Sequence, residues 1–136
     1  TSSAIIVPFF DARRGNVFAG AYQWENGKLI NKIEDQHLGI DVLLEQLAKL
    51  GQQVVLVGQM TDKIQAKYDQ LPANVTLLPR AYSIPSTYQL ALAGKMKEPV
   101  KEIDPFVPHY LRITEAEANL QKLHPGEKRK NYVREV

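Results

Sequence analysis

Asp11 closes an apolar run and is followed by Ala12, Arg13, Arg14 and Gly15, so a carboxylate stands at the mouth of a tight turn that carries two guanidinium groups. A carboxylate so placed could serve a metal ion or orient a nucleotide phosphate. Two-metal hydrolysis needs further carboxylates to hold ions about 4 Å apart, and the apolar run Val54-Val-Leu-Val-Gly58 contains no acid. A phosphate cradle made of backbone amides needs small residues, chiefly glycine, directly after the acid, so that the main chain can come close. Arg13 and Arg14 occupy those positions; they could attract an anion by charge, but their bulk opposes the cradle. Gly58 is the second candidate, because glycine at a strand-to-helix turn would let an adenosine lie against the backbone. A single glycine there is also ordinary punctuation. Asp11, Arg13, Arg14 and Gly58 are thus candidates for a nucleotide site whose two elements are degraded together, and a structural or partner-contacting hairpin is the preferred reading. No catalytic residue, metal ligand or cofactor is assigned.

The remaining reactive residue types make no constellation. His37, His109 and His124 have no i, i+4 spacing and no acidic neighbours in a ligand pattern. Ser83 and Ser86 flank a helix start, where capping explains them. Tyr22 and the single Trp24 read as core or sheet-face aromatics rather than a base-stacking platform. Glu34, Asp35, Glu98, Glu102 and Asp104 fall in segments read as loops or strand ends, with no reason to pair. The absence of Cys rules out disulfides, thiolate zinc sites and cysteine nucleophiles. A net charge of +2 is too small to steer a nucleic acid by itself. Basic residues cluster only at the end, at Lys122, Lys128, Arg129, Lys130 and Arg134, where a solvated tail is the plain reading and phosphate contact the sharper one. No apolar run approaches the ~20 residues of a membrane helix.

The elements that must position these residues follow from period and turn chemistry. Ala4 to Phe10 reads as a central strand buried on both faces. Val17 to Trp24 and Leu29 to Ile33 read as two further strands joined through Asn26-Gly27, a pair suited to the positive φ angles of a tight hairpin. Ile40, Leu43, Leu44, Leu47 and Leu50 then fall on one helical face that Gly51 terminates. Val54 to Val57 is a fourth strand. Thr61 to Leu71 is a helix striped by Ile64, Tyr68 and Leu71 and stopped by Pro72, and Val75 to Leu78 is a fifth strand. A third helix opens at Pro85-Ser86 and runs to about Lys97, with Tyr88, Ala91, Leu92 and Met96 on its inner face. A Pro-punctuated extended segment reaches His109 to Ile113 and packs back across the domain. Thr114-Glu-Ala-Glu117 caps a short last helix that carries Ala116, Leu120 and Leu123 on one face.

The order βββαβαβα, three antiparallel strands before crossover helices, is not that of a doubly wound sheet. It resembles the half-domain shared by ribonuclease H, the sugar kinases and actin. The expected class is therefore an α/β, ribonuclease-H-like (actin-like ATPase) half-domain with a mixed five-stranded sheet. Residues 1–97 would form the core, and residues 98–136 an extended segment, short helix and basic tail packing on the same domain.

Val7-Pro-Phe-Phe-Asp-Ala-Arg-Arg-Gly-Asn-Val-Phe-Ala19, Val54-Val-Leu-Val-Gly58, the helix approach from Ala81 to Leu92 and Pro108-His-Tyr-Leu-Arg112 carry a closer resemblance. Together they are similar to the C-terminal half of the bacterial TsaB (YeaZ) family, glycoprotease-like paralogues of TsaD within the actin-like superfamily. The family's first half opens on an Ile-Asp-Thr-Ser strand that this sequence lacks, so the chain is expected to be an isolated second lobe. The resemblance implies a non-catalytic partner or scaffold in making the threonylcarbamoyladenosine of tRNA, with the transfer chemistry in TsaD. It implies TsaD-like and TsaE-like partners, met through the full-length protein and mainly its first half. Weak or indirect tRNA contact, a homodimer, a cytoplasmic location and no membrane are compatible with it. The alternative from the residues is an actin-like ATPase or kinase lobe binding nucleotide at Asp11 and Gly58. A third reading is a tRNA-binding module on Arg13, Arg14 and the terminal basic cluster.

Overall fold

The computed structural model describes residues 4–59, 61–62, 66, 71–103, 108–112 and 114–123. Five strands make one sheet: β1 (Ile5–Asp11), β2 (Asn16–Glu25), β3 (Lys28–Gly39), β4 (Val54–Gly58) and β5 (Val75–Leu77). They lie in the order β3-β2-β1-β4-β5, with β1 antiparallel to β2, β2 antiparallel to β3, and β1, β4 and β5 mutually parallel. The expected mixed sheet is therefore present. Its hairpins arise where anticipated, with left-handed backbone at Asn26 (φ 49°) and Gly27 (φ 77°). β3 continues well past Ile33, so Glu34 and Asp35 sit within a strand rather than a loop. Register shifts around Ala19, Ala21 and Tyr22 absorb the extra residues as a bulge.

α1 (Ile40–Ala48) covers one face of this sheet. Its Ile40, Leu43, Leu44 and Leu47 meet Ile5, Val7, Phe9, Val17, Ala19, Ala21, Val54, Leu56 and Val75, and Leu71 packs against the rim of this cluster. Gly51, with φ 64°, stops the helix as its position suggested. The buried Gln23 is satisfied by Gln52, whose Oε1 accepts from Gln23 Nε2 at 3.0 Å.

Strand one is central, as expected, yet it is buried on one face only. The alternate residues Ile6 and Pro8 are half-buried and Phe10 is 58% exposed. The reason is topological: α1 follows β3 and lies on one side, and among the described residues no helix covers the other. α2 (Thr87–Lys95) also departs from expectation. Ser86 caps it, accepting from the Gln89 amide at 3.3 Å, but none of its residues is buried, and Tyr88, Leu92 and Met96 are exposed. Periodicity finds a helix and its apolar face; it does not say what the face meets.

α3 (Glu115–Leu123) begins next to the expected Thr114, whose carbonyl accepts from the Ala118 amide at 2.9 Å. Its Leu120 and Leu123 are exposed. Of the expected helix after Thr61, Ile64 and Tyr68 lie outside the described residues, although the Ala66 amide bonds the Asp62 carbonyl at helical spacing, 3.0 Å. Asp104, Ile113, His124 and the basic residues after it also lie outside.

Asn74 ties helix to sheet in a way composition did not suggest. Its amide group donates to Leu47 O at 3.0 Å and to Gln52 O at 2.9 Å, while its own carbonyl accepts from Val54 N–H at 2.8 Å. A carbonyl in the last turn of α1 and one just past its end are thereby joined to the sheet. Asn74→Ala removes both donors and is expected to cost about 1–2 kcal/mol. Urea unfolding should show a lower midpoint at unchanged slope, and an unchanged midpoint would refute the tie.

Candidate functional site

Asp11, the last residue of β1, pairs in register with Val17 and is exposed. One of its carboxylate oxygens accepts from the Arg13 amide at 2.9 Å. The turn closes on itself, with Ala12 N–H donating to Asn16 O at 2.9 Å and Asn16 N–H to Arg13 O at 3.0 Å. Gly15 O in turn accepts from Ile40 N–H at 3.0 Å, fixing the hairpin to the start of α1. Three hairpin amides are thus spent inside the hairpin, and a phosphate would have to displace those bonds to use them.

Arg13, Arg14 and Gly15 all adopt left-handed backbone, at φ 66°, 55° and 80°. Glycine tolerates this, whereas L-residues do so at roughly 1 kcal/mol each. Both arginine side chains are exposed. The two most basic residues of the turn therefore sit where glycine or asparagine would fit better, directly beside the sequence's candidate acid.

Gly58, the other candidate, lies within the sheet. It ends β4 opposite Phe9 in the parallel ladder and is buried. A Cβ at this position would overlap the Phe9 carbonyl and stand 2.6 Å from its ring carbon Cδ1. Close packing of β1 on β4 accounts for this glycine without a nucleotide. The structure brings Asp11, Arg13 and Arg14 together, while Gly58 packs against Phe9 in the sheet.

The open face of the sheet carries Tyr22 and Trp24 as sheet-face aromatics, with pairings that residue order did not show. Tyr22 is half-buried there and its hydroxyl donates to Asp35 Oδ1. Burial, then that bond and the charge of Asp35, push the Tyr22 phenol above its ordinary value, against a smaller opposing effect of Asn31. Because the folded-state value is raised, the stabilisation is complete below about pH 10, the unfolded value, and is lost as pH rises through the folded one. Wild type should accordingly lose stability above pH 10 faster than Tyr22→Phe in urea melts. Parallel pH profiles would refute the pairing. Trp24, 57% exposed, flanks this tyrosine on the sheet face, and Ile6, Pro8, Tyr22, Trp24 and Leu29 line a shallow groove of about 340 Å³.

Farther along the same face, Phe10 pairs with Phe18 and Phe18 with His37. The Phe18 and His37 ring centroids are 5.1 Å apart, tilted by 49°. His37 Nε2 is shielded from solvent and has no hydrogen-bond partner among the described residues. His109 is exposed, and Ser83 donates to the Arg80 carbonyl at 2.7 Å, closing a turn rather than capping the helix, which Ser86 does. Among the described residues no group of three or more His, Asp or Glu side chains is placed to hold a metal ion, and no helix is long and apolar enough to cross a membrane.

No protein-family model matches the chain. Over 115 residues it is 37% identical to the tRNA threonylcarbamoyladenosine biosynthesis protein TsaB of Bacillus subtilis (strain 168), a match covering 84% of this chain and 50% of that protein. The chain spans about half the length of the relative it matches. The hairpin motif, the order β3-β2-β1-β4-β5 and this identity agree, and they make the chain a partial-length relative of the TsaB family.

Proposed function

We propose that this chain is a lobe of a non-catalytic partner subunit in tRNA threonylcarbamoyladenosine biosynthesis. The observation that carries the reading is the 37% identity over 84% of the chain to a protein of that pathway. The geometry of the candidate site supports the non-catalytic part. The hairpin amides that would cradle a phosphate bond to Asp11, Asn16 and Arg13, and Gly58 is accounted for by its approach to Phe9. On this reading the chemistry resides in a TsaD-like partner, with a TsaE-like protein in the same assembly, in the cytoplasm, and the matched segment is the second half of a TsaB-like chain. Residues 1–97 form the core and residues 98–136 its appendage.

Depleting the intact gene and measuring threonylcarbamoyladenosine in bulk tRNA tests the reading: a fall is expected, and unchanged levels would overturn it. The competing ATPase or kinase lobe predicts micromolar binding of magnesium-ATP to this chain in a calorimetric titration, and the partner-subunit reading predicts none.

A further inference from the structure

We propose that the end of the open sheet face beside the Asp11–Asn16 hairpin is a contact site for single-stranded RNA, with an unstacked base on the Phe10–Phe18–His37 row and phosphates against Arg13 and Arg14. The choice of RNA rests on the tRNA-modification reading above; the site itself rests on how the sheet places its side chains.

Register alone puts three rings side by side on β1, β2 and β3, because Phe10 is opposite Phe18 and Phe18 opposite His37. The row ends in an exposed ring: Phe10 is 58% accessible although it sits on a central strand. The exposed Phe10 ring can accept the face of any base, with the half-buried Phe18 and the tilted His37 ring as its flank, and sequence tolerance follows, since every base has a π-face. One residue beyond Phe10 the strand ends at Asp11 and the hairpin begins, so the two exposed guanidinium groups lie within a few residues of the row. That spacing suits one nucleotide, base on the rings and phosphate at the turn. Arginine also adds planar, bidentate recognition of phosphate.

The acidic groups nearest the site, three carboxylates against two guanidinium groups, confine its pull on phosphate to the exposed Arg13 and Arg14 side chains. Asp11 is engaged by the Arg13 amide and Asp35 by the Tyr22 hydroxyl, and Asp41 in the first turn of α1 follows the residue bonded to Gly15. His37 adds an independent sign of a missing partner. Its shielded Nε2 has no hydrogen bond among the described residues, and a small ring rotation toward an arriving base edge or phosphate would supply one. The left-handed arginines agree with this. Glycine would hold the same turn with less strain, so the side chains themselves are what the positions supply. Paired RNA would not fit this surface, because bases stacked in a duplex cannot lie on a ring.

Fluorescence anisotropy on the full chain, with a labelled anticodon stem-loop RNA and a fully paired duplex of equal length, tests the site. The stem-loop should bind more tightly than the duplex, and free AMP should compete poorly. Phe10→Ala should weaken stem-loop binding by about five- to a hundredfold. Arg13→Gly and Arg14→Gly should each flatten the slope of log affinity against log salt by about 0.7, while the unfolding midpoint stays level or rises, because glycine suits those φ angles. That combination separates binding from folding. Equal affinity for duplex and stem-loop, or an unchanged affinity in Phe10→Ala, overturns the proposal. So does sedimentation showing self-association that Phe10→Ala weakens, since the face would then be a protein interface. If RNA binding fails while gene depletion still lowers the modified nucleoside, this site is refuted and the partner-subunit reading stands. Binding that persists when depletion leaves the nucleoside unchanged refutes that reading instead.

Discussion

Replacing Gly58 with valine should leave the protein largely unfolded near physiological temperature, and even Gly58→Ala should lower stability by about 1–3 kcal/mol. The cause is the parallel pairing of β4 with β1. Gly58 faces Phe9 across the ladder, and a Cβ there would overlap the Phe9 main-chain carbonyl and lie 2.6 Å from Cδ1 of its ring. A flexible side-chain tip could move aside, but a carbonyl in the middle of a five-stranded sheet moves only with its strand. Alanine therefore strains the β1–β4 pair, and valine adds two methyl groups to a site with no room for the first carbon. With native stabilities of about 5–15 kcal/mol, such a loss is a large share of the total. For alanine, a fall in Tm of about 5–15 °C by circular dichroism is the expected reading. Phe9→Ala in the Gly58→Ala background should rescue only part of the loss, since it removes the ring and leaves the carbonyl. A Gly58→Ala protein of wild-type stability would sink this account and return Gly58 to the nucleotide-site candidates.

Truncating Leu47 to alanine is the second large effect, about 2–5 kcal/mol. Leu47 is fully buried where α1 meets the sheet, in one cluster with Val54, Leu56 and Val75. Removal of its branched end leaves a hole walled by strands that cannot close over it. The informative comparison is Leu92→Ala on α2. Both leucines belong to an apolar stripe of helical period, yet Leu92 is 41% exposed and no residue of its helix is buried. Leu92→Ala should change stability by less than about 0.5 kcal/mol. Equal losses from the two truncations, measured by urea melts, would mean that α2 packs on the core as its periodicity suggested.

Much of this protein was legible from its residues taken in order. Asn26-Gly27 set one hairpin, because few residue types tolerate left-handed backbone, and Gly15-Asn16 marked the other although Arg13 and Arg14 share that backbone against their preference. The change of period at Ile40 set α1, and its stop at Gly51 followed from the same backbone rule. Three strands joined by hairpins before the first crossover then left a mixed sheet as the arrangement that obeys the handedness of parallel connections. Each of these is local: the physical determinant lies within a few residues of the feature it fixes.

What depended on contacts distant in sequence could not be read that way. The close approach at Gly58 was one such contact, since the Phe9 backbone that stands against it lies forty-nine residues earlier in the chain. Asp35 passed for a loop acid until β3 ran on to Gly39 and set it under the Tyr22 hydroxyl. Asn74 had no visible role until it met the carbonyls of Leu47 and Gln52. Phe10 was assigned to a strand buried on both faces, and only the one-sided placement of α1 left its ring open beside the arginines. Local backbone preference and hydrophobic period decided which elements form. Which side chains face one another, and which face stays open, was decided by the packing of strands and helix far apart in the sequence.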